Sequence, residues 1–165
     1  MTRRASRVER GICSALRGLH QKEPRRCWRD GEWTLHVKHA VGTVGEEMGC
    51  KVYATRCRYR ARGEWLYDMT WIREGSDGEL VDAPLVLESE WNRDGVSDDF
   101  RKLLVARSRY RVMVLAAYDR VRAQEVVDGL VGQVRACTLT KPGDRYLFAC
   151  WLNTTRDFDF HLHVA

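Results

Sequence analysis

The sequence lacks the short patterns that assign many enzymes at sight. Its 165 residues contain no glycine-rich phosphate loop, no G-x-S-x-G elbow, no dinucleotide-binding fingerprint and no C-x-x-C pair. A loop of the first kind cradles nucleotide phosphates, the elbow presents a nucleophilic serine, and paired cysteines hold zinc. The absences argue against a P-loop nucleotide hydrolase, an α/β-hydrolase, a Rossmann dehydrogenase and a zinc ribbon.

Long hydrophobic runs are also absent. No apolar run approaches the roughly 20 residues that a membrane-spanning helix needs. The basic first residues lead into no apolar segment, so we expect no secretory signal. The six cysteines are spread singly, most of them inside apolar runs, where a free thiol behaves as a small hydrophobic group. We therefore expect a cytoplasmic, reduced protein with no membrane contact.

The composition has no bias towards disorder. Hydrophobic residues make up 44% and charged residues 31%, with only three prolines, an ordinary globular balance. The length suits one domain with a proper core, so we predict a single domain over residues 1–165, in which residues 1–30 form a basic helix and a connector. The net charge of +5 favours anionic partners, although much of the excess lies within those first 30 residues.

Hydrophobic periodicity predicts the element order. The short apolar run at 112–115 is typical of a strand that is covered on both faces. Three strands in succession, followed by helix, strand, helix and two strands, predict an α/β fold with a mixed central β-sheet flanked by helices. Helices are predicted over residues 5–19, 33–48, 98–108 and 120–134, and strands over 51–60, 64–72, 85–91, 111–118, 146–152 and 158–164.

Three carboxylates interrupt two of the predicted strands. Asp68 lies inside the first strand, and Glu88 and Glu90 end the second. An ionised carboxylate removed from water costs several kcal/mol unless something compensates it. Residues i and i+2 of a strand share a face, so Glu88 and Glu90 project together, and Asp68 can lie beside Glu88 on a neighbouring strand. Three such oxygen donors suit Mg²⁺ or Mn²⁺.

A lysine follows the second strand and can complete such a site. Lys102 lies on the next predicted helix, where its ammonium group can stabilise a phosphate transition state. Each residue also has a purely structural alternative. The Glu88–Glu90 pair can be the solvated end of a strand, Asp68 can pair with an arginine, and Lys102 can be an exposed helix lysine.

This arrangement resembles the restriction-endonuclease-like nuclease superfamily, whose motif is written PD-(D/E)xK. The resemblance covers residues 33–118 and rests on the order of the elements. A helix with acidic residues in its last turn is followed by a strand and by a second strand that carries Asp68. A third strand ends in Glu88-x-Glu90, and the next helix reads Asp-Phe-Arg-Lys-Leu at 99–103. It implies a three-layer restriction-endonuclease-like core. It also implies that Asp68 and Glu88 bind the metal and that Glu90 occupies the position that usually carries lysine.

The chain departs from that motif at two positions. Tyr67 replaces the proline, and Glu90 replaces the lysine, which in some members has moved to the following helix, where Lys102 stands. Glu46 or Glu47 matches the acid that some members carry on their first helix.

The resemblance implies a magnesium-dependent nuclease that hydrolyses phosphodiester bonds in nucleic acid, with DNA as the favoured substrate. The expected catalytic residues are Asp68, Glu88, Glu90 and Lys102, and the expected metal ligands are the three acids together with Glu47. Because glutamate replaces lysine at position 90, the alternative is a catalytically inactive member of the same fold that acts as a binding or assembly module. The oligomeric state is left open, a homodimer included.

Overall fold

A computed structural model describes residues 4–22, 29–58 and 65–165 of the chain. They form helices and strands in the predicted order. The helices are α1 (Arg7–Lys22), α2 (Asp30–Glu47), α3 (Val96–Val105) and α4 (Arg120–Ala136), and the strands are β1 (Lys51–Tyr53), β2 (Met69–Glu74), β3 (Leu80–Glu90), β4 (Tyr110–Ala117), β5 (Arg145–Leu152) and β6 (Asp157–Val164).

The six strands form one mixed sheet whose spatial order follows the chain, from β1 to β6. β3, β4 and β5 pair in parallel, whereas β2 runs antiparallel to both of its neighbours and β6 runs antiparallel to β5. β1, β3, β4 and β5 therefore point one way, and β2 and β6 point the other. The predicted α/β class with a mixed sheet is confirmed.

Helices cover both faces of the sheet, which gives three layers. On one face, Ile12 of α1 and Val41 of α2 pack with Leu87 of β3. On the other face, Phe100 of α3 and Val127 of α4 belong to a second apolar cluster. All four residues of the apolar run at 112–115 are buried, as expected for a central strand covered on both sides.

The strand boundaries differ from the prediction at the turns before β2. β1 ends at Tyr53, while the predicted strand ran on to residue 60, whose last two positions lie outside the described residues. β2 begins at Met69 rather than at residue 64, because Leu66 has a φ of 62°. A non-glycine residue with positive φ does not continue a pleated strand. Asp68 therefore precedes β2 instead of interrupting it.

None of the helices within the described ranges is long and apolar enough to cross a membrane.

A candidate acidic site at the end of strands β2 and β3

Two of the predicted site acids meet where β2 begins and β3 ends. The antiparallel register pairs Met69 with Leu87, so Asp68, which precedes β2, lies next to the last residues of β3. Asp68 turns towards Lys38 of α2 and Glu88 turns towards Lys102 of α3, on opposite faces of the sheet. The carboxylate of Asp68 accepts a hydrogen bond from the backbone N–H of Ser89 at 2.9 Å. The negative charge of Asp68 also acts on Glu88, whose pKa it raises. The two carboxylates therefore belong to one electrostatic site.

Glu88 is the most perturbed acid of this site. Only 2% of its surface is exposed. Burial, followed by the negative charges of Asp68 and Asp99, raises its pKa to about 8, against a smaller lowering by Lys102. A carboxyl group in this position holds its proton near neutral pH unless a cation compensates its charge. Perturbation of this kind is concentrated at functional sites.

Helix α3 supplies the cation nearest to Glu88. Lys102 Nζ lies 3.4 Å from Glu88 Oε1 and 2.7 Å from Asp99 Oδ1. The longer contact is an ion pair rather than a well-formed hydrogen bond, and Glu88 Oε1 has no hydrogen-bond partner among the described residues. The hydroxyl of Tyr67 donates to the carbonyl of Lys102 at 3.4 Å. The structure thus brings Lys102 to Glu88 and adds Asp99, which we did not predict as a site residue.

Helix α2 supplies a second lysine, which the sequence analysis missed. Lys38 is only 5% exposed, and its Nζ lies 3.2 Å from Asp68 Oδ1. Asp68 is thus paired with a lysine rather than with an arginine. The helical spacing could have indicated that Lys38 faces inwards. It lies three residues after Leu35 and three before Val41, on the helix face that packs against the sheet.

A cavity of about 360 Å³ opens beside Asp68 on the α2 side of the sheet. Two cationic side chains, Lys38 and Arg56, line it together with Asp68. The positive charges of these two side chains can bind a phosphate group. The remaining lining residues are Gly31, Thr34, Leu35 and Thr55.

Glu90 is turned towards the loop that leads into α3. Its Oε1 accepts a hydrogen bond from Asn92 N at 2.7 Å. Its Oε2 lies so close to Gly95 that a Cβ there would be 2.6 Å away. The carboxylate of Glu90 therefore holds the β3–α3 loop. It accepts this hydrogen bond from its own loop, although it shares a strand face with Glu88.

The predicted helix acids lie far from the two strand acids. Glu46 and Glu47 are exposed at the end of α2. Glu47 lies nine residues after Lys38, about 13.5 Å further along the helix axis at 1.5 Å per residue. At that end of the helix Gly45 packs against Trp71 and Val52, away from Glu88. The structure brings neither acid to Asp68.

The described part of the chain contains no group of three or more His, Cys, Asp or Glu side chains placed to hold a metal ion. Asp68 and Glu88 could contribute oxygen ligands. Asp99 is a third acid nearby: it pairs with Lys102 and its charge acts on Glu88. Mg²⁺ is commonly bound through one or two carboxylates, with water and substrate phosphate completing its shell. In the described structure each of these carboxylates lies against a lysine, Asp68 against Lys38 and Glu88 against Lys102.

Comparison of the chain with models of protein families, with curated proteins and with solved structures gives no match.

Proposed function

We propose that this protein is a magnesium-dependent nuclease of the restriction-endonuclease-like type, which hydrolyses phosphodiester bonds in nucleic acid, with DNA as the favoured substrate. One observation carries the proposal: buried Glu88, with a pKa of about 8, lies beside Asp68 at the ends of adjacent strands. Burial and, after it, the charge of Asp68 raise this pKa, and a divalent cation would compensate the charge of the ionised carboxylate.

The residues around these acids suit the chemistry. Mg²⁺ held by Asp68 and Glu88 would polarise a phosphate oxygen and lower the pKa of a bound water. Lys102, half exposed and 3.4 Å from Glu88, is free to turn towards a phosphate and to stabilise the charge of the transition state. Lys38 and Arg56 line the neighbouring cavity, where they can bind the phosphates of the substrate.

A binding module of the same fold is the second candidate. It is favoured by the lysine contacts of both acids, Lys38 with Asp68 and Lys102 with Glu88. Glu90, at the position where the family usually carries lysine, is bound to its own loop. If these lysines neutralise the two acids, the cavity could bind the phosphates of a nucleic acid without cleavage of the phosphodiester bond.

Cleavage assays on purified protein separate the two candidates. Single- and double-stranded DNA and RNA are incubated with Mg²⁺ or Mn²⁺ and with wild-type protein, Glu88→Gln or Lys102→Ala. We expect Glu88→Gln to abolish cleavage. Lys102→Ala should lower its rate by about 10²-fold or more, the usual scale for losing one donor to a transition state.

The matched control is Arg101→Ala. Arg101 is the neighbouring cation on α3, and it makes the same i,i+3 pair with Asp98 that Lys102 makes with Asp99, but away from Glu88. Its loss should leave the rate unchanged, and nucleic-acid affinity should change little in either variant, since one phosphate contact is a small part of binding. Cleavage that survives Glu88→Gln would come from another site or from a contaminant. Binding without any cleavage would favour the binding module.

A further inference from the structure

Strand β6 is an edge of the sheet, and within the described residues no further strand pairs with its outer side. It pairs with β5 through eight successive residues, without a register shift, and it is the last strand in the sheet. Proteins commonly protect such edges with short strands, lysine, proline or bulges. The opposite edge, β1, has only three residues, whereas β6 has eight and carries neither lysine nor proline. An unprotected edge of this length is a template for another strand.

The hydrogen-bond alternation shows which backbone groups of β6 face outwards. The N–H of Ala165 donates to the carbonyl of Asp144 at 3.0 Å, so the odd-numbered residues of β6 bond to β5. In an antiparallel ladder the backbone groups of alternate residues point to opposite sides. Phe158, Phe160 and Leu162 therefore direct their N–H and C=O groups away from the sheet. The N–H of Phe158 is met only by the carboxylate of its neighbour, Asp157, at 2.7 Å.

The side chains of β6 are arranged so that the strand complements itself. Residues 157–163 read Asp-Phe-Asp-Phe-His-Leu-His, with acids before the central Phe160 and histidines after it. If two such strands pair antiparallel about Phe160, Asp159 lies opposite His161 and Asp157 lies opposite His163. These are non-hydrogen-bonded pairs, in which the facing side chains come closest. Phe158 then lies opposite Leu162, and the two Phe160 residues face each other.

We propose that two copies of this chain associate through their β6 edges, antiparallel and with the two-fold axis at Phe160, so that one continuous sheet crosses the dimer. The occupant is a second copy because each acid of the strand meets a histidine of the same strand in reversed order, and an imidazole can donate a hydrogen bond to the carboxylate. An unrelated strand would not place an acid opposite each histidine. The acids and histidines of β6 lie on one face of the strand. There Asp159 Oδ2 lies 3.2 Å from His161 Nε2 and 3.3 Å from Arg120 Nε.

Light scattering and sedimentation of the full chain test the association. The wild type should be a dimer whose dissociation on dilution gives the Kd. His161→Asp sets an acid against Asp159 in both symmetric pairs, so the Kd should rise about tenfold or more. The double variant Asp159→His/His161→Asp exchanges the two charges and should restore the dimer. Circular dichroism checks that every variant is folded.

Cysteine cross-linking tests the register. In the proposed dimer only residue 160 faces its own copy, at a Cα separation near 5.5 Å, which a disulfide can bridge. Phe160→Cys should therefore form a covalent dimer on oxidation. Leu162→Cys should not, since its two copies would lie four strand residues apart, about 13 Å. Wild type under the same oxidant gives the background of the natural cysteines.

A monomeric wild type at every concentration up to its solubility limit would overturn the proposal. A dimer that His161→Asp leaves intact, or that links as readily through residue 162 as through residue 160, would place the interface elsewhere and overturn it equally. None of these outcomes depends on nuclease activity.

Discussion

At the scale of single residues, Glu88 carries the largest electrostatic cost of the site. Its carboxyl group is buried beside Asp68, and the only described cation in contact with it, Lys102, is half exposed and is shared with Asp99. The fold therefore holds an acid whose charge it does not compensate in full. Arrangements of this kind are retained where the charge is used for binding or catalysis.

The first prediction concerns the pH dependence of the metal-free protein. The pKa of Glu88 is near 4.5 in the unfolded chain and about 8 in the folded protein. Between these values the folded state keeps a proton that the unfolded state has released, so the free energy of unfolding falls as the pH rises. Glu88→Gln removes this contribution, a slope of up to about 1.4 kcal/mol per pH unit. Urea unfolding of both proteins below, within and above the window measures it. Parallel curves would contradict the assigned pKa.

The second prediction concerns metal binding. Millimolar Mg²⁺ or Mn²⁺ should raise the Tm of the wild type by binding the folded state. Glu88→Gln and Asp68→Asn should both abolish this response. Without metal they should differ in sign: Glu88→Gln raises the Tm, whereas Asp68→Asn lowers it, because buried Lys38 loses its ion pair with the Asp68 carboxylate. Thermal scans with and without EDTA measure both effects. If the Tm of the wild type does not change when metal is added, Asp68 and Glu88 have a purely structural role.

The proximity of Asp68 to the end of β3 was predictable because strands that follow one another in the chain usually pair. Its turn towards Lys38 on the α2 side of the sheet was not predicted. The direction of Glu90 was not predictable either, since the short loop to Asn92 and Gly95 determines it. The burial of Lys38 was missed because lysine is almost never buried unless it is paired, and the acid that pairs with it, Asp68, lies on another element. The helical spacing of Lys38 did indicate that it faces inwards.

At the scale of elements, the close packing of α2 on the sheet aligns the site. A Cβ added to Gly45 would lie 2.7 Å from the indole of Trp71 and 2.9 Å from Val52, and Trp71 is fully buried. Only glycine permits this approach. The same helix carries Lys38 to Asp68, so its distance from the sheet also sets that ion pair.

The third prediction tests this packing. Gly45→Ala should destabilise the protein by about 1–3 kcal/mol, the usual cost of overpacking a core. The matched control is Gly132→Ala in α4, where a new Cβ meets nothing within 4 Å and should add about 0.5–1 kcal/mol of stability through helix propensity. Midpoints of urea unfolding give both values. Equal effects of the two substitutions would mean that α2 packs less closely than the structure has it.

The elements themselves followed from hydrophobic periodicity, but the end of β1 and the starts of β2 and β3 did not. The start of β2 shows why. There the apolar run at 65–67 reads as strand, yet Leu66 adopts a positive φ and the chain bends until Met69. Local propensity does not encode such a bend, because neighbouring residues stabilise it: the hydroxyl of Thr70 donates to the carbonyl of Trp65 at 3.3 Å.

At the scale of the whole molecule, the sequence predicted the layers but not the contacts that join distant segments. The strand order and the parallel pairing of β3 with β4 and β5 depend on which strands meet, and periodicity does not report it. The clearest case is the buried pair of Glu9 in α1 and Arg145 in β5, which are 136 residues apart. Nothing in the local pattern of either residue indicates the other.

The last prediction concerns this ion pair between Glu9 and Arg145, which joins the first helix to β5. Arg145 donates two hydrogen bonds of 2.7 Å to the carboxylate of Glu9, which is 1% exposed. Glu9→Ala would leave the Arg145 guanidinium without its anion, and breaking one side of a buried pair costs about 3–5 kcal/mol. Glu125→Ala, which removes the exposed partner of Arg122, is the control and should cost less than about 1 kcal/mol.

The effect of Glu9→Ala should also depend on pH. Burial opposes ionisation of Glu9, but the hydrogen bonds from Arg145 and Ser6 outweigh it and lower the pKa below its ordinary 4.5. The stabilisation is therefore complete above the unfolded pKa and is lost as the pH falls through the folded one. Urea unfolding at neutral and at acid pH should show the difference between wild type and Glu9→Ala shrinking in acid. A difference as small as that of Glu125→Ala at neutral pH would mean that α1 is not tied to the sheet through this pair.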